Sequence, residues 1–484
     1  MIDSIINAFE SPLGSFKSES TDSLDYLKGI VRKEMDHAYL CQRHLDMPKS
    51  EGSLTMGIVF SGGPAPGGHD VICGILAHLR PQDQLIGFRN GPGGLLSGQH
   101  QLISSNDMDH IEGLGGFDFL GTDRTKISTT DQFDQVGSIL KALNITTLFI
   151  VGGDDSNTNA LFLADALFGQ CNVIGVPKTI DGDLQFLPQL PISFGFHTAT
   201  QHYSQLVEQL AIDSKATRKY WHIVKLMGRS ASHVTLEVAL QVKPHACILS
   251  EEIVANGQSL MDVIRYFSNV IIQRYQEKQP YGVIVFPEGI ADVIPEFRDY
   301  AQGRVDSMNK VLAALDMNPI QLTEVYEDEH GNKNLSTFNT EKLMMDLIQG
   351  YLSQKGVKSD AIKMVSHFFG YTGRAENPTS FDSAYSLLLG KTAYELGLSN
   401  ETGVVVGCDF YSSIVLFNFK IEDNLFQNTL PIPPLLAFSA SGMAMEIYVI
   451  IIFKLLSSYV LFLITSTANS KALPPLYYCE MDKF

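Results

Sequence analysis

A chain of 484 residues exceeds what one hydrophobic core organises, so two or three domains are expected. Its 45% hydrophobic and 18% charged content marks a folded chain rather than a disordered one. A net charge of −18 excludes a general nucleic-acid binder, because no basic surplus exists to neutralise phosphates, although a few cations gathered in a cleft would still serve a small anion.

Residues 1–52 are polar and mixed, and read as an N-terminal extension. Their first stretch, MIDSIINAFESPLGSFKSES, lacks the basic segment and sustained apolar core of a secretory leader. From residue 54 a rhythm begins, in which a short apolar run is followed by a glycine- or acid-rich turn and then a helical pattern. LTMGIVF precedes SGGPAPGGHD, TTLFIV precedes GGDDSNT, and CNVIGV precedes PKTIDGDL. Further on, YWHIVKL precedes MGRSAS, YGVIVF precedes PEGIAD, and IKMVSHF precedes FGYTGRAENP. Strands alternating with helices predict an α/β protein whose parallel sheets are covered on both faces. The period recurs on both sides of residue 200, which predicts two Rossmann-like domains, 53–200 and 201–405. Residues 295–360 carry helical periodicity and the charged stretch YEDEHGNKN, and read as a helical insertion in the second domain.

Residues 406–484 lose the rhythm and form an atypical apolar tail. Within it, 447–465 (IYVIIIFKLLSSYVLFLIT) is interrupted only by Lys454 and is about as long as a membrane span. Three readings stand: sequence foreign to the working protein, a buried helix of altered packing, or a tail anchor. The anchor is least favoured, since Lys454 in mid-span costs roughly 2.5–3.5 kcal/mol on insertion. Six scattered cysteines without a CxxC pair indicate neither zinc nor a disulfide framework, and fit a reducing, cytosolic compartment.

The chemically loaded residues fall just after the strands. In open parallel sheets ligands bind outside the carboxyl ends of strands, so these loops are expected to converge on one cleft. SGGPAPGG offers unobstructed backbone N–H groups, including those of Gly62 and Gly63, ahead of a helix N-terminus, which suits phosphate. Alone, it would serve equally as a glycine turn. Asp154 in GGDDSNT fits a magnesium ligand, or a helix cap. Asp181 and Asp183 flank a glycine in PKTIDGDL, with Lys178 upstream; a carboxylate there can accept a hydroxyl proton during phosphoryl transfer, or simply form an acidic turn. Arg229, Glu288, Tyr371 and Arg374 add guanidinium forks for phosphate and an acceptor for sugar hydroxyls. No His/Cys/acid spacing demands zinc, and GRSAS is not a serine-hydrolase elbow.

In this order SGGPAPGG, GGDDS, PKTIDGD, KYWHIVKLMGR, FPEG and GYTGR resemble the phosphofructokinase family over about residues 54–405, and within it the long pyrophosphate-dependent branch. The resemblance implies two α/β domains of phosphofructokinase type, 53–200 for the phosphoryl donor and Mg²⁺, and 201–405 for fructose 6-phosphate. It implies pyrophosphate binding by Gly62, Gly63, Asp155 and Lys178, and magnesium held by Asp154. Asp181 resembles the general base, with Lys178 and Thr179 beside it. Thr179, Ile180, Asp181, Met227, Gly228, Arg229, Glu288, Tyr371, Thr372, Gly373 and Arg374 are implied to bind the sugar phosphate. Lys219 and Tyr220 match positions that in the family reach a neighbouring subunit's substrate, implying a homodimer or a homologous hetero-oligomer. ATP-using relatives carry GGDGS and a glycine where Lys178 stands. Asp155 therefore fills the space a nucleotide needs, and Lys178 returns positive charge beside a shorter donor. His197 stands where the resemblance leads to Asp. An ATP-dependent kinase of the same fold is the alternative, opposed by Asp155 and Lys178. A non-catalytic regulatory subunit is another, opposed by Asp154, Asp181 and Arg229.

Overall fold

Short β-branched runs bounded by glycine become strands. The computed structural model describes residues 50–184, 190, 192–320, 338–358 and 360–407, with strand segments 416–418, 447–450 and 462–465 beyond them. The first sheet contains β1 (Thr55–Phe60), β2 (Gln84–Phe88), β3 (His100–Ile103), β4 (Ile145–Gly152), β5 (Asn172–Thr179) and β6 (Phe194–Gly195). The second contains β7 (Trp221–Leu226), β8 (Ala246–Cys247), β9 (Gly282–Pro287) and β10 (Met364–Phe369). Then follow β11 (Val404–Val406), β12 (Leu416–Asn418), β13 (Ile447–Ile450) and β14 (Phe462–Thr465).

The first sheet runs β12-β11-β5-β4-β1-β2-β3, with β6 beside the end of β5, and the second runs β10-β7-β9-β8. All neighbours in the second sheet are parallel, as are β1, β2, β4, β5, β6 and β11 in the first. The β2–β3 and β11–β12 pairs are antiparallel. β7 and β9 are buried at every position and β1 at all but its first, as strands covered on both faces must be.

Seven helices matter for the cleft: α1 (Gly68–Leu76), α2 (Asp154–Ala166), α3 (Phe196–Thr217), α4 (His233–Val242), α5 (Leu260–Gln276), α6 (Thr340–Gln354) and α7 (Ser380–Leu398). α3 lies between the sheets: its Tyr203 and Val207 join Phe60 and Val176 of the first sheet and Val224 and Leu226 of the second in one buried cluster. A shared core fixes the two sheets relative to each other. A second core, built on Trp221, Phe267, Phe286 and Phe297, unites α5 and α6 with the outer face of the second sheet. Helices Pro295–Ala301, Asp306–Ala314 and α6 occupy the described part of 295–360, whereas the YEDEHGNKN stretch lies outside the described residues.

The boundary drawn at 405 needs correction. β11 pairs with β5, and Gly74 of α1 and Gly390 of α7 meet so closely that a methyl on Gly74 would approach the Leu387 carbonyl within 2.2 Å. The chain thus returns to the first sheet with α7. Three valines at 404–406 are too short a run to reveal which sheet they extend. In the tail, Ile447–Ile450 and Phe462–Thr465 are antiparallel strands, not a helix, in keeping with their β-branched and aromatic side chains. Residues 1–49, 408–415, 419–446, 451–461 and 466–484 lie outside the described residues. Among those described, no helix is long and apolar enough to cross a membrane.

Candidate active site

The loop after β1 turns at Gly62, whose φ of +83° needs a residue without Cβ. The Gly62 N–H donates to the Asp123 carbonyl at 2.8 Å, and Thr122 Oγ1 donates to the Gly62 carbonyl at 2.8 Å. Ser156 of α2 donates from Oγ to Ser61 Oγ at 2.8 Å, tying this loop to the one after β4. The first turn of α2 carries Asp154 and Asp155, both exposed, where carboxylates favour the positive end of the helix.

Lys178, near the end of β5, is buried, and its Nζ donates to the Gly63 carbonyl at 2.7 Å. A methyl on Gly63 would meet Arg374 Cζ at 3.2 Å, so the guanidinium lies directly against the loop. Burial and then Arg374 pull the Lys178 ammonium down to about 8, against the opposing pull of Asp181. Arg124 adds to the lowering.

Thr179 organises the acidic turn. Its Oγ1 accepts from the Asp181 N–H at 3.0 Å and donates to Asp183 Oδ1 at 3.2 Å, while Gly182 turns at φ +71°. Ile180 is buried behind them and Asp181 half-buried. Asp183 is open along one side, yet desolvation by the crevice wall, then Asp181 and Asp154, push its carboxyl up to about 7. Asp154 and Asp181 thus crowd Asp183, while the Lys178 ammonium acts on Asp181 and Asp183 from the end of β5. Among the described residues no three His, Cys, Asp or Glu side chains stand close enough to hold a metal unaided. Magnesium asks less of the protein, since one or two carboxylates suffice when phosphate and water complete its shell.

The second sheet supplies the opposite wall. Met227 donates its N–H to the Phe369 carbonyl at 3.2 Å. The Gly228 N–H donates to Glu288 Oε1 at 3.3 Å, and the Gly289 N–H donates to the Gly228 carbonyl at 3.2 Å, interlocking the two loops. Glu288 is buried and Arg229 exposed. Tyr371–Arg374 form one short 3₁₀ turn, held from α3: Tyr203 Oη donates to the Gly370 carbonyl at 2.5 Å and His202 lies 3.0 Å from Thr372 Oγ1. Gly373 rests on the Tyr203 ring.

Lys219 and Tyr220 are not in this group. They precede β7, whose six residues place them about 20 Å from the Met227–Arg229 loop. Lys219 Nζ stands 4.8 Å over the Tyr220 ring at that far end. His197 bonds Thr379 Oγ1 at 2.8 Å and packs on Phe381, at the joint between α3 and α7. There Asp382 accepts from the N–H groups of Gly195 (3.1 Å) and Thr198 (2.8 Å), and burial pushes its carboxyl up to about 6.

Sequence reading missed Arg124, His202, Tyr203 and His233. Arg124 follows Asp123, whose bridge to Ser61 brings it to the loop after β1, a pairing across 62 residues that local sequence does not disclose. The site as built gathers amide donors, three cations and three carboxylates around one crevice, which suits a phosphorylated ligand with a divalent ion.

Residues 55–397 match the family described as Phosphofructokinase. The chain is 38% identical over 386 residues to the pyrophosphate–fructose 6-phosphate 1-phosphotransferase of Porphyromonas gingivalis, covering 72% of this chain and 70% of that protein. It is 38% identical to the beta subunit of the same enzyme from Solanum tuberosum, covering 73% and 67%. In fold it is similar to the pyrophosphate-dependent phosphofructokinase of Nitrosospira multiformis, with TM-score 0.52, 16% identity and 73% and 79% coverage.

Proposed function

Because the chain belongs to the phosphofructokinase family, we propose that it transfers a phosphoryl group from pyrophosphate to the 1-hydroxyl of fructose 6-phosphate, reversibly, as an enzyme of glycolysis. The products are fructose 1,6-bisphosphate and orthophosphate. The observation that carries this reading is the Lys178 ammonium inside the glycine loop, 2.7 Å from the Gly63 carbonyl, where a longer donor would need room.

Gly62 and Gly63 present backbone N–H groups to the diphosphate, flanked by Lys178, with Asp155 limiting the donor to two phosphates. Asp181 accepts the proton of the sugar 1-hydroxyl as its oxygen bonds the terminal phosphorus and the anhydride P–O bond breaks, releasing orthophosphate. Thr179 keeps the Asp181 amide and the Asp183 carboxylate in register. Met227, Gly228, Arg229 and Glu288 orient the sugar, with Ile180 packed beneath the turn, and Tyr371, Thr372, Gly373 and Arg374 close over the donor loop. Charge on the transferring group is met by Lys178, Arg374, Arg124 and amide dipoles placed before reaction. Asp154 would hold Mg²⁺, which when bound neutralises phosphate oxygens and orients the donor; the crowding that raises Asp183 supports a cation there.

Lys219 and Tyr220 belong to a neighbouring subunit's substrate site, either in a homodimer or with a homologous partner, as the beta-subunit name of the potato relative suggests. Residence in the reducing cytosol is in keeping with the free, buried thiols of Cys73, Cys171 and Cys247 among the described residues.

The test supplies fructose 6-phosphate and Mg²⁺ with either pyrophosphate or ATP. Turnover with pyrophosphate is expected. Turnover with ATP alone overturns the reading.

A further inference from the structure

Gly182, between Asp181 and Asp183, is enclosed from two sides. A methyl on it would come within 2.7 Å of the Phe196 ring at the start of α3 and 3.3 Å of His233 Cβ at the start of α4. Its carbonyl lies 2.7 Å from His233 Nδ1. A carbonyl can only accept, so Nδ1 carries the proton and donates. The two residues are 51 apart in sequence and serve different sheets. Gly182 ends the turn after β5, whereas His233 follows the Met227–Arg229 loop after β7.

The mount of His233 is itself fixed. The N–H of the preceding Ser232 donates to Glu251 Oε1 at 2.9 Å, and Ser232 Oγ accepts from the Ser250 N–H at 3.0 Å. The other end of the bond is the opposite case. A glycine at φ +71° has the widest conformational freedom of any residue, so an Asp-Gly-Asp turn needs an outside restraint to hold two carboxylates in place. Displacement of a reacting group by an ångström is enough to slow chemistry severely.

We infer that His233 is a positioning residue: by holding the Gly182 carbonyl it sets Asp181 and Asp183 against the sugar-binding loop of the opposite wall. The inference rests on the phosphoryl-transfer reading above. It adds a route by which the second sheet governs the placement of the proton acceptor on the first.

His233→Asn places an amide N–H close to where Nδ1–H stood, whereas His233→Gln places it near Nε2. With pyrophosphate and fructose 6-phosphate, His233→Ala and His233→Gln are expected to lose about tenfold in kcat, the worth of one hydrogen bond, with both KM values little changed. His233→Asn should recover most of that loss. Amide hydrogen exchange of residues 179–184 in the ligand-free protein should speed up in the Ala and Gln variants and return towards wild type in the Asn variant. Equal kcat and equal exchange in the Asn and Gln variants overturn the inference, and this comparison stands even where the Ala variant does not fold. Wild-type protein inactive with pyrophosphate would sink the functional reading alone, because the exchange measurement still decides the restraint.

Discussion

Lys178 Nζ and the Gly63 carbonyl oxygen, 115 residues apart in sequence, stand 2.7 Å from each other inside the loop that faces the crevice. On the proposed function the ammonium occupies the ground that an extended donor would cross. Burial, and then Arg374, lower its affinity for a proton. The proposal thus joins donor choice and pH response in one side chain.

Removing the obstruction should change the donor. Asp155→Gly combined with Lys178→Gly is expected to raise turnover with ATP and to lower kcat/KM for pyrophosphate by at least about a hundredfold, the scale of one lost electrostatic contact to developing charge. Parallel assays with the two donors check this. An unchanged preference would show that exclusion operates elsewhere.

The pH dependence follows from the ammonium at about 8, below the ordinary lysine value. In the folded state Lys178 binds fewer protons than in the unfolded chain between pH 8 and the ordinary lysine value, so its penalty on stability is full below pH 8 and fades as pH rises. Activity is expected to run the other way, since the proposed role of Lys178 needs its charge. The kcat/KM profile for pyrophosphate should fall above pH 8, and Lys178→Arg should shift that falling limb upwards.

Asp181→Asn should lower kcat by about 10²–10⁴-fold, the range of a positioned general base, with a smaller effect on pyrophosphate KM. Steady-state kinetics at pH 7.5 separates the two parameters.

Asp183, held up at about 7, keeps a proton that the unfolded chain has already lost. Its contribution to stability is therefore present at acid pH and lost as pH rises from the ordinary carboxylate range through 7. Melting temperatures of ligand-free wild type should fall between pH 5 and 7.5 more than those of Asp183→Asn. Added Mg²⁺ should recover stability at pH 7.5, where the carboxylates are charged, more than at pH 5.

Gly74→Ala should destabilise the protein by about 1–3 kcal/mol, since its methyl would press on the Leu387 carbonyl at 2.2 Å. Because α1 starts at the donor loop, pyrophosphate KM should rise as well. Denaturant unfolding and kinetics report the two effects.

The sequence makes the loops legible and hides their restraints. Glycines and acids after β-branched runs announce Gly62, Asp154 and Asp181, because turns at strand ends demand those residue types locally. Tyr203 to Gly370 and Asp382 to Thr198 span 167 and 184 residues, and nothing near either partner encodes the other. His233 is disclosed only by the fold, as one histidine among thirteen. β11 escapes for a related reason: three valines fit either sheet, and the choice is made by the docking of α7 on α1.

That docking has a consequence for biosynthesis. Strands β7 to β10 are contiguous in the chain, so their sheet can be completed as soon as residue 369 has left the ribosome. The sheet begun earlier by β1 must wait for α7 and for β11, which ends at Val406. The β1 sheet thus keeps an unpaired β5 edge while the later sheet already has all its strands, and the core the two share around α3 closes only with the last helix.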